Sequence, residues 1–483
     1  MRDRDIDNKI GWHFDNTYAR LSEKILTKIK PTSVKQPKLI IINENLCRNL
    51  GLNFSNINND LIASIFSGNQ LPQNSECIAQ AYAGHQFGHF TVLGDGRAIV
   101  LGEHVTKDNK RFDIQFKGSG KTPYSRQGDG RAALGPMLRE YIISEAMNGL
   151  KIPTTRSLAV VTTGETVMRE ESLKGAILTR IASSHIRVGT FQYVSLSGDK
   201  DAFNSLLNYT INRHYPEVKN SNNPALELLK IVINKQCDLV TNWMRVGFIH
   251  GVMNTDNMTV SGESIDYGPC AFMDSYNLKT VFSSIDLQGR YAYGNQPLIT
   301  KWNLARFAET LLPYIDKNKD KAIKIATDTV NEFDSIYEKK WLNMMKSKLG
   351  LIGSNDEDKK IISDFLTWME NNKADYTNTF LFLLNDDFKN NKIFEKETFI
   401  NWYKKWRKRV DGKSKDLMRE TNPNLIPRNY IVEKVLKAAE NNDLNPFNSF
   451  LEILQKPYDD HVNIKDYQTP ATNTDDYKTF CGT

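Results

Sequence analysis

Two rhythms of apolar residues divide the chain. Up to about residue 195 the apolar positions come in short runs of strand length, parted by glycine-rich and polar links. These runs lie at 38–42, 98–101, 157–161 and 176–181, with the alternating stretch Phe112-Asp113-Ile114-Gln115-Phe116-Lys117 among them. One helix interrupts the series at about 135–149. Leu138, Tyr141, Ile142 and Ala146 fall at helical spacing there, Pro136 is tolerable in a first turn, and Gly149 is a plausible stop. From about residue 201 the period becomes helical. The segment 225–247 carries Leu229, Ile233, Val240 and Trp243 on one side, and 297–315, 325–350 and 359–383 each read as an amphipathic helix. Residues 353–358 are a polar link, 431–440 reads as a late helix, and the tail from Tyr467 is polar. Residues 258–260 and 264–265 flank a Ser261-Gly262-Glu263 turn, which reads as a short hairpin.

A strand-rich lobe followed by a helical lobe, with a glycine-rich loop early and a polar loop after a long helix, is the order of a protein-kinase-like α+β fold. The expected organisation has four parts. Residues 1–75 form a lead-in packing on the N-lobe, and 76–195 form the N-lobe with its nucleotide loops. Residues 196–315 form the C-lobe with catalytic and metal loops, and 316–483 form a helical extension ending in a cysteine-containing tail.

The 483-residue composition, 40% hydrophobic and 25% charged, is that of an ordinary globular protein. A balance of 63 Lys and Arg against 57 Asp and Glu, net +6, is too mild to argue for nucleic acid. The basic cluster at 404–409 sits beside Trp402 and Trp406 at helical spacing, which fits a solvated helix face and no nucleic-acid module. No apolar run approaches a membrane span. The charged start Met1-Arg2-Asp3-Arg4-Asp5 lacks an apolar signal core. Five scattered cysteines without a C-x-x-C fit a reducing cytoplasm, which is the expected location.

The candidate chemistry centres on His250-Gly251-Val252-Met253-Asn254-Thr255-Asp256-Asn257. Asn257 stands seven residues after His250, the spacing of the metal-binding Asn in a kinase H-R-D-x-x-x-x-N loop. The kinase Asp should stand two after the His, where Val252 can neither accept a proton nor bind a metal. Asp256 supplies a displaced carboxylate; a turn or cap aspartate is its plainer reading. Asp266-Tyr267-Gly268 is similar to the D-F-G that brings a second metal oxygen, and an oxygen-only pair suits Mg²⁺ or Mn²⁺. Upstream, Gly94 and Gly96, followed by Arg97, let backbone approach a phosphate closely, although glycine turns are common. Lys117 closes a strand as a kinase phosphate lysine does. Glu140 on the next helix is its natural partner, Glu145 the competitor, and a surface lysine with a solvated glutamate the alternative. Arg180 and Arg187 bracket a polar segment and could grip phosphate or form ordinary salt bridges.

Ten stretches in order from about residue 14 to the C-terminus carry a resemblance: AYAGHQFGHF, LGDGRA, Lys117-Gly118-x-Gly, TPYSRQGDGRA, LREYIISEAM, IPTTRSLA, FIHGVMNTDNM, IDYGP, WNLAR and NPNLIPRN. With them the chain resembles the selenoprotein O family (the bacterial YdiU, or SelO, proteins). The resemblance implies a kinase-like fold that moves AMP from ATP onto Ser, Thr or Tyr hydroxyls of proteins, itself included. It further implies a nucleotide bound flipped relative to kinases and a Mg²⁺ or Mn²⁺ requirement, and it leaves UTP open as an alternative to ATP. Carried over by motif, Gly94, Gly96, Arg97, Lys117, Asp129, Gly130, Arg180, Arg187 and Asp266 contact the nucleotide, and Glu140 pairs with Lys117. Asn257 and Asp266 hold metal, and Asp256 accepts the proton. The family's C-terminal selenocysteine or cysteine corresponds to Cys481, which implies a regulatory disulfide with Cys270. No nucleic-acid or membrane partner is expected. A small-molecule phosphotransferase with H-G-D-x-x-x-x-N is opposed by Val252, and an inert pseudokinase scaffold by the retention of Lys117, Asp256, Asn257 and Asp266.

Overall fold

A computed structural model describes residues 7, 9–388, 391–462, 464–471 and 477–480. Its strand-rich N-lobe is built on one antiparallel sheet of eight strands: β1 (Leu26–Lys28), β2 (Lys38–Ile42), β3 (Ile78–Gln80), β6 (Ala98–Val105), β7 (Arg111–Lys117), β8 (Ala132–Ala133), β9 (Arg156–Met168) and β10 (Ser172–Ala182). The order is β1-β3-β6-β7-β10-β9-β2, with β8 beside β10. The N-terminal segment expected to lie on this sheet therefore supplies both of its edges. A separate hairpin, β4 (Ala83–Gln86) and β5 (His89–Val92), stands off the sheet.

Burial on both faces explains the runs of the sequence. Ile99, Leu101, Ile114 and Phe116 pack toward the helices Glu44–Leu50 and Asn59–Ser67. Val100, Val160 and Leu178 pack toward Leu138 and Ile142 of the helix Leu134–Gly149. Each such side chain contributes roughly 1.5–3 kcal/mol by leaving water. β7 departs from the simple half-exposed strand that its alternation suggests. Its polar residues Asp113, Gln115 and Lys117 are buried as well, and each is paired there. The Leu134–Gly149 helix is covered on its far side by the helices Asn429–Glu440 and Asn445–Leu454, which return to the N-lobe from the C-terminal part. Gly149 is needed for that contact: a Cβ would stand 2.3 Å from the Leu454 carbonyl oxygen, while Lys151 (φ 60°) takes the left-handed turn after the helix.

The helical lobe differs from expectation in two places. The stretch 359–383 is two helices, Asp358–Asn371 and Tyr376–Asn385. Lys373 (φ 49°) breaks the first, and Asp375 caps the second through the Asn378 N–H at 2.7 Å. Residues 258–265 form no two-stranded ribbon. Met258 and Val260 bond backward to Val188 and Ile186, and Ser264 bonds to Pro153 and Thr155, so each side of the turn joins a different neighbour. The turn itself forms, with the Thr259 hydroxyl accepting the Glu263 N–H at 3.0 Å. Trp402 and Trp406 are buried and donate to the Ile361 and Leu349 carbonyls at 2.8 Å, leaving Lys404, Lys405 and Arg407 exposed on the outer side of the helix Glu397–Arg407, while Arg409 beyond it pairs with the buried Asp358 at 3.0 Å. Among the described residues no helix is long and apolar enough to cross a membrane.

Candidate active site

Gly94, Gly96, Arg97, Lys117, Asp129, Gly130, Arg180, Arg187, Asp256, Asn257 and Asp266 all line one cleft of about 450 Å³ between the sheet and the helical lobe. Its floor is ionic. β7 and β10 are neighbours, so Gln115 faces Arg180 across the ladder and Lys117 closes the same row. Lys117 Nζ donates to Glu140 Oε2 at 2.6 Å and to Asp266 Oδ1 at 2.7 Å. Arg180 donates through Nε to Glu140 Oε1 at 2.8 Å and through Nη2 to Asp266 Oδ1 at 2.6 Å. Two cations and two anions thus neutralise one another in a square that is buried except at Asp266. Burial pushes both carboxyls up, and Arg180 and Lys117 outweigh it, leaving Glu140 lowered and Asp266 well below the usual carboxylate range. Glu145 is engaged elsewhere, accepting from Asn43 and Arg156.

The polar loop after the helix Pro224–Val246 is fixed from beneath. Buried His250 donates through Nε2 to the Ile265 carbonyl at 2.9 Å, tying the loop to the segment that ends in Asp266. Asp266 itself sits in the left-handed region (φ 63°), a conformation a non-glycine residue holds only when its surroundings enforce it. Val252 lines the cleft at the place of the kinase aspartate. Asp256, in the turn Thr255–Asn257, is 7% exposed, and its Oδ1 has no hydrogen-bond partner. Burial pushes its carboxyl up to about 6 against the pull of Arg187.

Four residues not expected from the sequence adjoin the site: Gly84, Tyr82, Asp95 and Arg169. A Cβ on Gly84 would stand 2.0 Å from Asp256 Oδ1, so only glycine on β4 leaves room for that carboxylate. The Arg187 guanidinium lies 4.2 Å from the Tyr82 ring centre and 4.0 Å from Asp95 Oδ1. Asp95 is buried and accepts the Gln80 N–H at 3.0 Å; burial pushes its carboxyl up to about 6. Arg169 grips Asp129 with two bonds of 2.9 and 3.1 Å and tethers the glycine loop 118–131 to the β9–β10 hairpin. At Gly94 the space of a Cβ is filled by the Tyr124 ring at 2.4 Å, so this glycine is required by loop-on-loop packing, whatever else the cleft holds. The signal for Tyr82, Gly84 and Asp95 was present as AYAGHQF and LGDGR, but their meaning lies in contacts with Asp256 and Arg187 more than 90 positions away.

Oxygen donors in the cleft suit a hard divalent cation. Asn257 Nδ2 donates to the Val252 carbonyl at 3.0 Å, which turns the amide oxygen to the other side. Both cationic contacts of Asp266 fall on Oδ1, leaving Oδ2 for a ligand, and Asp256 Oδ1 is unpartnered. Among the described residues no three or more His, Cys, Asp or Glu side chains converge as a metal cage. Cys270 is a fully buried thiol that burial pushes up to about 12; Cys481 lies outside the described residues.

The sequence model described as protein adenylyltransferase SelO matches residues 9–455. A protein nucleotidyltransferase YdiU of Pelagibacter ubique is 59% identical over 481 residues, covering 98% of this chain and all of that protein. Proteins of the same name from Nitrosococcus oceani (55% identity, 98% of each chain) and Clostridium botulinum (54%, all of each chain) are similar along their full lengths.

Proposed function

The chain belongs to the SelO family and is a nucleotidyltransferase, and from that premise we propose that it moves AMP from ATP to Ser, Thr or Tyr hydroxyls of proteins, releasing diphosphate. The observation that carries this reading is a loop carboxylate displaced from position 252 to position 256. Val252 occupies the kinase base position, while the buried Asp256 stands beside Arg187 with an oxygen unpartnered. In the proposed reaction the acceptor oxygen attacks the α-phosphorus and its proton passes to Asp256. The bond from the α-phosphorus to the bridging oxygen breaks, and diphosphate leaves with that electron pair. Lys117, Arg180 and Arg187 stabilise the charge developing on the leaving group, with Arg97, Asp129 and the glycines Gly94, Gly96 and Gly130 forming the walls around the nucleotide. Glu140 holds Lys117 and Arg180 in place. Asn257 and Asp266 would hold Mg²⁺ or Mn²⁺, which when bound neutralises phosphate charge. The relatives' name, protein nucleotidyltransferase, specifies no base, so UMP transfer from UTP is the second reading.

A redox restraint belongs to the same proposal. Thr479 donates its hydroxyl to the Pro269 carbonyl at 2.7 Å and its N–H to Phe282 at 2.8 Å, which supports a disulfide between Cys270, next to Pro269, and Cys481, two residues beyond Thr479.

ATP labelled at the α-phosphate, incubated with the chain, Mg²⁺ or Mn²⁺ and a protein acceptor, tests the reading. Label on protein with release of diphosphate is the expected result, abolished in Asp256→Asn while ATP binding persists. Transfer of γ-label alone, or full activity of Asp256→Asn, refutes it. UTP in competition decides the base.

A further inference from the structure

We infer that the acceptor protein offers its hydroxyl from an extended segment laid along the open edge of β5, with an acidic side chain held by Arg290 and Arg306. The inference rests on the acceptor reading of the cleft given above and adds the class of peptide it takes.

The β4–β5 hairpin is a thin wall with the cleft on one face. Its β4 side is clamped to the catalytic loop: the His85 N–H donates to Thr255 Oγ1 at 2.8 Å, the Phe87 N–H to Asn254 Oδ1 at 3.1 Å, and Gly84 lies against Asp256. Among the described residues β5 pairs only with β4. The Leu93 N–H bonded to the Tyr82 carbonyl at 2.9 Å sets the phase of the ladder. His89, Thr91 and Leu93 therefore address β4, while Phe90 and Val92 turn their backbone groups outward. Those two residues are 43% and 50% exposed. An unpaired edge of this kind is a template for strand addition by a peptide. β5 also has the right course, starting at the Phe87-Gly88 tip beside Arg290 and ending at Leu93-Gly94 on the cleft rim.

The other face of the hairpin is cationic. His85 packs edge-on against Trp302 at 5.1 Å, and two guanidiniums bracket that indole, Arg290 at 5.0 Å and Arg306 at 5.1 Å. Arg306 is paired with Glu309 at 2.7 Å. Arg290 has no carboxylate within ion-pair distance among the described residues, and its buried Nε has no hydrogen-bond partner. A guanidinium stacked on an aromatic ring keeps its edge for a carboxylate, which it binds bidentately. The side chains of an added strand alternate between faces. A hydroxyl on the cleft face and an acid on the Trp302 face must then be an odd number of residues apart.

Fluorescent peptides with one central Ser and Asp at an offset of one, two or three residues, or Lys in place of Asp, test this on the full chain by anisotropy and by transfer from α-labelled ATP. Odd-offset Asp peptides should bind about tenfold tighter than their Lys counterparts. That preference should fall below twofold in Arg290→Gln/Arg306→Gln and return in part in Arg290→Lys/Arg306→Lys, with ATP affinity and melting temperature unchanged. Equal binding of Asp and Lys peptides, a preference that survives the Gln pair, or a single-stranded oligonucleotide binding more tightly than any peptide overturns the inference. Tight binding of the acidic peptide with no AMP on it or on any protein counts against the transfer reading and leaves the docking surface standing. AMP on proteins without an acidic preference does the reverse.

Discussion

Replacing Asp95 with Asn should make the protein more stable, and by an amount that depends on pH. Asp95 is buried, with Oδ1 unpartnered, Oδ2 accepting the Gln80 N–H at 3.0 Å, and Arg187 no nearer than 4.0 Å. Desolvation outweighs these contacts and raises its carboxyl from 3.8 to about 6. For an acid raised on folding, the unfolded chain ionises more easily. The penalty is therefore absent below 3.8, grows between 3.8 and 6, and is complete above 6. That shift corresponds to ~3 kcal/mol at pH 8 and about half of that at pH 5. Asn mimics the neutral acid and removes the penalty, although its amide hydrogens beside Arg187 cost back ~1 kcal/mol at either pH. The net gain is then ~2 kcal/mol at pH 8, most of it lost by pH 5. Urea unfolding at the two pH values, in chelator and followed by both tryptophan fluorescence and circular dichroism, measures the difference and checks that the two probes coincide. A variant less stable than the parent at pH 8, or shifted equally at both pH values, would show that the buried Asp95 carboxylate carries no such penalty.

Glu140→Gln should act in the opposite direction, because it leaves Lys117 and Arg180 sharing Asp266 Oδ1 alone; a loss of about 3–5 kcal/mol and weakened ATP binding are expected in melts and titrations. Gly84→Ala drives a methyl to within 2.0 Å of Asp256 Oδ1 and should lower kcat about 100-fold by displacing the proposed base, with ATP affinity little changed; an unaltered kcat would remove Gly84 from the site. Reductant should raise the activity of the oxidised parent severalfold and leave Cys481→Ser unaffected, in assays run with and without dithiothreitol; equal responses would exclude the Cys270–Cys481 restraint.

What the sequence made legible is what local spacing encodes. The seven-residue step from His250 to Asn257, the Asp266-Tyr267-Gly268 stop and the lysine closing β7 each follow from one segment's own chemistry, and all three segments meet in one cleft. The edge strand Leu26–Lys28 was too short to register against its polar surroundings. The turn at Ser261-Gly262-Glu263 was readable, but its flanks pair with Ile186, Val188, Pro153 and Thr155, partners that local alternation cannot name. The helix break at Lys373 hides in a continuous amphipathic pattern, since Asp375 as a cap looks like any exposed acid. Asp95, Gly84 and Arg169 were missed for a tertiary reason: their roles exist only once β4, the glycine loop and the β9–β10 hairpin are brought against Asp256, Arg187 and Asp129.

The central claim is that a carboxylate in the loop's last turn serves the innermost phosphorus while cations from the sheet hold the outer phosphates. A crystal structure of the chain with a non-hydrolysable ATP analogue and Mg²⁺ measures this directly. It should place the α-phosphorus on the Asp256 side and the β- and γ-phosphates among Lys117, Arg180 and Arg187. A terminal phosphate lying beside Asp256, with those three cations bare of phosphate, would contradict it.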